Sequence, residues 1–310
     1  MHNSPLNQIV AQASERLEAD LHTAMPEVGA AVNQWLRGLS GTANPADYFL
    51  HPLAFPSLLL PWWLDGTLNG NPDAAVQAEL VYSTINGYYA IRLVDNVMDG
   101  HATVEPQLLP VVNYFQTRFQ SVYQQYFPAG HPFWEVFNTC WFRSAEAAVL
   151  DSRLTDIDAV RFREISAQKV CAAKIPLAAV CFLHGQPERH QPWAEFVDAF
   201  GAWHQMLNDT FDWHKDLKNG TATWFLSEAE RQRRREEPVV AWVAREGLDW
   251  AIATLDGWMA DLQNAAARLA CAPLADYLTM RQQLLEAKMK KLQPGLRVLA
   301  KISNLGADKR

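Results

Sequence analysis

The 310-residue sequence predicts an all-α protein. Three observations carry that reading. Apolar residues recur at helical spacing along nearly the whole chain, strand-like alternation is almost absent, and the pattern breaks at proline and glycine clusters. Helices are expected from Leu6 to Gly38 with a break near Pro26, then over Asp73 to Asp99, Pro106 to Phe127, Pro132 to Leu154, Asp158 to Leu183, Pro192 to Leu217, Gly247 to Ala270 and Ala275 to Leu292. The segment "HPLAFPSLLLPWW" is too rich in proline for one regular helix. Pro176 falls inside the expected helix Asp158 to Leu183, where it removes a backbone donor and bends the axis. The run "ERQRRREE" (Glu230 to Glu237) mixes both signs and reads as a solvated helix face or loop. No interior stretch has linker composition and no repeat of fixed period is present, so residues 1–310 are expected to form a single domain.

A hydrophobic content of 49% is enough for a substantial core. The net charge of -7 argues against a nucleic-acid partner, since no basic excess is available to neutralise phosphates. A small anionic ligand needs only a few local cations and stays open. Cys140, Cys171, Cys181 and Cys271 show no metal-ligand spacing and read as buried thiols of a reducing compartment, which points to the cytoplasm. The N-terminal stretch is amphipathic and acidic, unlike a secretory signal. No segment reaches about 18 uninterrupted apolar residues, so no transmembrane segment is expected.

Two acidic patterns stand out. In "YYAIRLVDNVMDG" (residues 88–100), Asp95 and Asp99 are four apart and share a helix face with Arg92, while Asn96 is turned about 100° away. In "HQMLNDTFDWHKDLKNG" (residues 204–220), Asn208, Asp212 and Asp216 set three oxygen donors along about 12 Å of one face. Donors of this kind suit Mg²⁺, a hard cation that takes a few protein oxygens and leaves other positions to water and substrate phosphate. One DxxxD is a weak signal. Two such stripes on separate long helices could face each other across a cavity and clamp metals that bridge a diphosphate. The absence of a Glu-x-x-His pattern argues against a di-iron bundle.

On these motifs the chain resembles the class I isoprenoid synthases: terpene cyclases, squalene and phytoene synthases, and chain-elongating prenyl diphosphate synthases. "DNVMD" is similar to their DDxxD motif with Asn96 for the second Asp. "NDTFDWHKD" is similar to the cyclase pattern NDxxSxxxE, with Asp212 for Ser and Asp216 for Glu. The squalene and phytoene synthase frame matches through Tyr88, Arg92, Asp95 and Asp99, and again through Gln205, Asn208, Asp212, Asp216 and Gly220. A basic Gly-Gly-Lys-Arg motif and an Arg-Arg pair after the first acidic motif, which serve head-to-tail elongation, are missing. "GHATVEP" follows Asp99 instead.

The resemblance implies a helical bundle around a central cavity and a Mg²⁺-dependent terpene synthase that ionises an allylic prenyl diphosphate and cyclises or quenches the carbocation. The alternatives are a squalene or phytoene synthase-type prenyltransferase, then a head-to-tail polyprenyl diphosphate synthase or a non-catalytic prenyl-binding homologue. It implies Asp95, Asp99, Asn208, Asp212 and Asp216 as catalytic metal donors, and more than one Mg²⁺. Arg92, Arg163, Lys169, Lys174 and Lys215 are implied diphosphate contacts, with Lys218 beside them. The partner is a small-molecule prenyl diphosphate, and a homodimer is the family's habit. Aromatic residues such as Trp203, Phe211 and Tyr89 are candidates to line a dry pocket, where ring faces stabilise a cation by about 0.5–2 kcal/mol each.

Overall fold

The computed structural model describes residues 4–98, 106–151 and 153–307. In chain order the helices are α1 (Pro5–Ala24), α2 (Gly29–Ser40), α3 (Ala46–Leu50), α4 (Leu59–Asn69), α5 (Ala74–Met98), α6 (Val112–Tyr126), α7 (Phe133–Asp151), α8 (Ala159–Lys169), α9 (Lys174–Leu183), α10 (His190–Asn219), α11 (Trp224–Gln232), α12 (Val239–Trp242), α13 (Leu248–Leu269) and α14 (Ala272–Ala307). Among the described residues there is no strand. Contacts divide the chain into two units: Met1–Ala148 with Cys171–Ala194, and Val149–Val170 with Glu195–Arg310.

In the first unit α5 packs against both α1 and α6. Every residue from Leu80 to Gly87 is buried, so the middle of this helix is enclosed on all sides rather than along one stripe. Gly87 allows the close crossing with α6, since a Cβ there would lie 2.7 Å from the Phe119 ring. The buried hydroxyl of Ser83 donates to the Phe119 carbonyl at 2.8 Å, and the Asn86 amide nitrogen donates to the Tyr82 carbonyl at 2.8 Å, so these donors enter the core partnered. Buried Asp65 on α4 accepts from Gln77 Nε2 at 3.0 Å and from the Asp73 N–H at 2.9 Å, and lies 2.7 Å from His184 Nε2 just past α9. That pairing ties α4 to α5 and α9.

In the second unit α13 and α14 pack together. The rings of Trp224 and Trp258 stack at 5.6 Å, and Trp203 Nε1 donates to the Leu255 carbonyl at 3.1 Å. Between α12 and α13 the chain takes one wide π-turn, Val243–Gly247. Gly247 is needed there because a Cβ would fall 2.5 Å from the Trp242 ring.

As expected, the proline-rich stretch 51–63 is not one regular helix: residues 51–58 form turns and irregular backbone, and α4 begins at Leu59 with Pro61 as its third residue, where a missing N–H breaks no intrahelical bond. The expected helix Asp158 to Leu183 is two helices separated by a 3₁₀ turn at Cys171–Ala173. Pro176 is again the third residue after the break, so it begins α9 rather than kinking a continuous helix. The mixed-charge run straddles the end of α11 and is paired within itself and with neighbours: Arg233 pairs with Glu230 at 2.6 Å, Arg231 with Glu228 at 2.7 Å and with Asp156, and Glu237 with Arg245 at 2.8 Å. All four cysteines are buried, and none is in a disulfide. Among the described residues no single helix is long and apolar enough to cross a membrane.

Candidate functional site

The first motif occupies the C-terminal end of α5, where the helix emerges from the core along one seam. Tyr88, Ile91, Arg92 and Asp95 are half-buried and Met98 is exposed, a spacing of three and four residues that places them on one side. Asn96 is 2% exposed and points into the packed side. Arg92 Nη1 donates to Asp95 Oδ2 at 2.8 Å. The two side chains are 36% and 32% exposed, so the pair contributes little to stability and leaves the carboxylate reachable. Below it the Tyr88 and Tyr48 hydroxyls are hydrogen-bonded to each other. Burial, together with the neighbouring Tyr48, pushes the Tyr88 phenol well above its ordinary range. Asp99 lies outside the described residues.

The second motif is carried by α10, which ends where Gly220 takes φ +68°, a left-handed conformation that costs glycine nothing. Asn208 and Asp212 are exposed, Asp216 is half-buried, and Asp209 is only 4% exposed. The buried carboxylate is therefore one the motif reading passed over. Gln205, Asp209, Asp212 and Asp216, at intervals of four, three and four, form a narrower stripe than Asn208, Asp212 and Asp216 with Gln205 added. Gln205 Nε2 donates to Asp209 Oδ1 at 2.7 Å. Burial pushes the Asp209 carboxyl up to about 7; Gln205 and Lys169 oppose the rise, and Asp216 and Asp151 add to it. Asp216 is also raised, by burial first and by Asp212 second, against Lys215 and Lys169.

These side chains fit Mg²⁺. They are hard oxygen donors, and a buried carboxyl that feels the charges of two further acids is destabilised in its charged form, which a divalent cation relieves. Among the described residues no three acidic, histidine or cysteine side chains form a ready-made metal cage.

The expected cations separate. Lys169 Nζ donates to Asp151 Oδ2 at 2.7 Å, and its charge reaches Asp209 and Asp216. Lys215 lies exposed on α10 and acts on Asp216. Lys174 begins α9 in the first unit, and its carbonyl lies 3.3 Å from His190 Nε2. Arg163 sits 4.6 Å over the Trp258 ring, in a cleft of about 390 Å³ lined also by Glu195, Asp198 and Asp261. Arg163 thus lies alongside the stretch of α10 that precedes the acidic stripe. Of the aromatic candidates, Trp203 and Tyr89 are core residues, 0% and 1% exposed. Phe211 is half-buried under Lys288, whose Nζ is 3.7 Å from the ring centre. The sequence signal for Asp209 was present in its place four residues after Gln205. Asp151 had none, because only folding brings it to α10.

The fold is that of the helical isoprenoid synthases. The chain is similar to a geranylgeranyl pyrophosphate synthetase from the archaeon Geoglobus acetivorans, with a TM-score of 0.66 and 13% identity over 92% of this chain and 99% of that one. It is similar to the octaprenyl pyrophosphate synthase from Helicobacter pylori, at TM-score 0.62 and 13% identity over 87% and 97% of the two chains. A further geranylgeranyl pyrophosphate synthase matches at TM-score 0.61 and 12% identity over 90% and 96%. No protein-family model matches the sequence, and no curated protein matches it.

Proposed function

We infer that this protein is a Mg²⁺-dependent enzyme acting on an allylic prenyl diphosphate, with residues 1–310 working as one functional domain, and that it releases diphosphate to form a terpene. The observation that carries the reading is the α10 stripe, in which buried Asp209 stands in line with Asp212 and Asp216 and beside Lys169. In this reading Asp209, Asp212 and Asp216, with Asn208 at the edge, hold Mg²⁺ from α10, and Asp95 with Asp99 does so from the first motif. Bound Mg²⁺ supplies Lewis-acid stabilisation of charge on the departing diphosphate oxygen. Lys169 and Lys215 bind the diphosphate, and Gln205 fixes the Asp209 carboxylate through Oδ1. Arg92 orients Asp95.

A second reading, a prenyltransferase, is favoured by the fold likeness to prenyl diphosphate synthases. The two separate in one assay. The pure protein is incubated with geranyl, farnesyl and geranylgeranyl diphosphates, with and without Mg²⁺ and with and without isopentenyl diphosphate, while diphosphate release and organic products are followed. A volatile hydrocarbon or alcohol without isopentenyl diphosphate supports the terpene synthase. A longer diphosphate formed only with isopentenyl diphosphate supports elongation, and a condensed dimer supports the squalene and phytoene type. Absence of metal-dependent release from every substrate overturns both readings.

A further inference from the structure

Asp151, the last residue of α7, belongs to neither acidic motif, yet it lies beside the second one. Its Oδ2 accepts from Lys169 Nζ at 2.7 Å, and the charges of both residues are felt at Asp209. Lys169 and Asp151 are 32% and 41% exposed, so an ion pair here adds little to the stability of the fold. What the pair does is fix a long, rotatable side chain. A lysine held in one rotamer next to an anion site has already lost the freedom that binding would otherwise take from it. Asp209 and Asp216 by themselves would repel a diphosphate, so the placement of a cation beside them decides how well the anion is received.

We propose that Asp151 is a positioning residue, whose carboxylate holds the Lys169 ammonium beside Asp209 and Asp216 so that the cation is set for the substrate diphosphate. The proposal rests on the reading of the α10 stripe as the diphosphate site. It makes a prediction opposite in sign to simple electrostatics. Deleting a negative charge near an anion site should tighten anion binding, whereas deleting an anchor for the site's lysine should weaken it.

The test uses the full-length protein, with inorganic pyrophosphate in MgCl₂ as the probe and calorimetry as the readout beside steady-state kinetics. Asp151→Asn is expected to weaken pyrophosphate binding about tenfold and to raise KM by a similar factor with a smaller change in kcat. Lys169→Met is expected to cause a comparable loss, and adding Asp151→Asn to it should cause no further loss, because the two residues act as a unit. Asp151→Glu is expected to restore binding. Should Asp151→Asn fold poorly by circular dichroism, the comparison of Asp151→Glu with Lys169→Met carries the test. If wild type binds and turns over but Asp151→Asn binds as tightly or more tightly, or if the two losses add, the positioning role is overturned while the function stands. If wild type neither binds pyrophosphate nor releases it from any prenyl diphosphate, the proposed function falls and this inference with it.

Discussion

Asp209 joins two demands that conflict. A carboxylate 4% exposed and flanked by Asp216 and Asp151 is costly to keep charged, and folding alone gives no reason to place it there. Asp209→Asn keeps the shape and the Gln205 contact while removing the charge. It is expected to raise the melting temperature in EDTA and to abolish metal-dependent diphosphate release. A variant neither more stable nor less active would put Asp209 outside the site. His204, one residue before Gln205, gives a second residue-scale prediction. Its Nδ1 lies 3.1 Å from Arg281 Nη2, and Arg281 is 1% exposed. Burial, then the Arg281 charge, pushes the imidazole down to about 3 from 6.5. The folded state therefore binds fewer protons than the unfolded one as pH falls below 6.5, and stability present above that pH is lost on the way toward 3. Against His204→Gln, wild type should lose up to about 1.4 kcal/mol per pH unit between pH 6.5 and 5, read from denaturant melts.

Helix α5 is the element on which the first unit is built. Its contact with α6 depends on Gly87, where a methyl group would press on the Phe119 ring. Gly87→Ala gains helix propensity but forces the ring or the helix to move, and overpacking of this kind costs about 1–3 kcal/mol. A lowered urea midpoint at unchanged m-value would bear this out, whereas a rise would mean the ring yields freely. The long helices were legible in the sequence: the acidic ends of α5 and α10 fall where the periodicity put them. The short ones, α3, α11 and α12, were not, since four to nine residues carry too few repeats to show a period. The break before α9 was placed too far along, because proline is tolerated in the first turn and so marks a start as readily as a kink.

At the scale of the whole molecule, any ligand that binds only the folded chain must stabilise it. Mg²⁺ with pyrophosphate is expected to raise the melting temperature more than either alone, because metal and anion compensate each other's charge at the acidic stripe. Saturation at about a hundred times Kd corresponds to about 2.7 kcal/mol. No shift with the pair, while a prenyl diphosphate still gives one, would mean that the prenyl chain rather than the diphosphate supplies the binding energy. The sequence by itself determined the all-α class and the two acidic helix faces, because helical period and donor spacing are properties of consecutive residues. Tertiary structure alone decided that Asp209 is the buried acid and Asn208 the exposed one, that Arg163 sits among carboxylates, and that Asp151 meets Lys169. Burial and the distance between residues on different helices depend on how helices pack, and no local pattern in the chain encodes them.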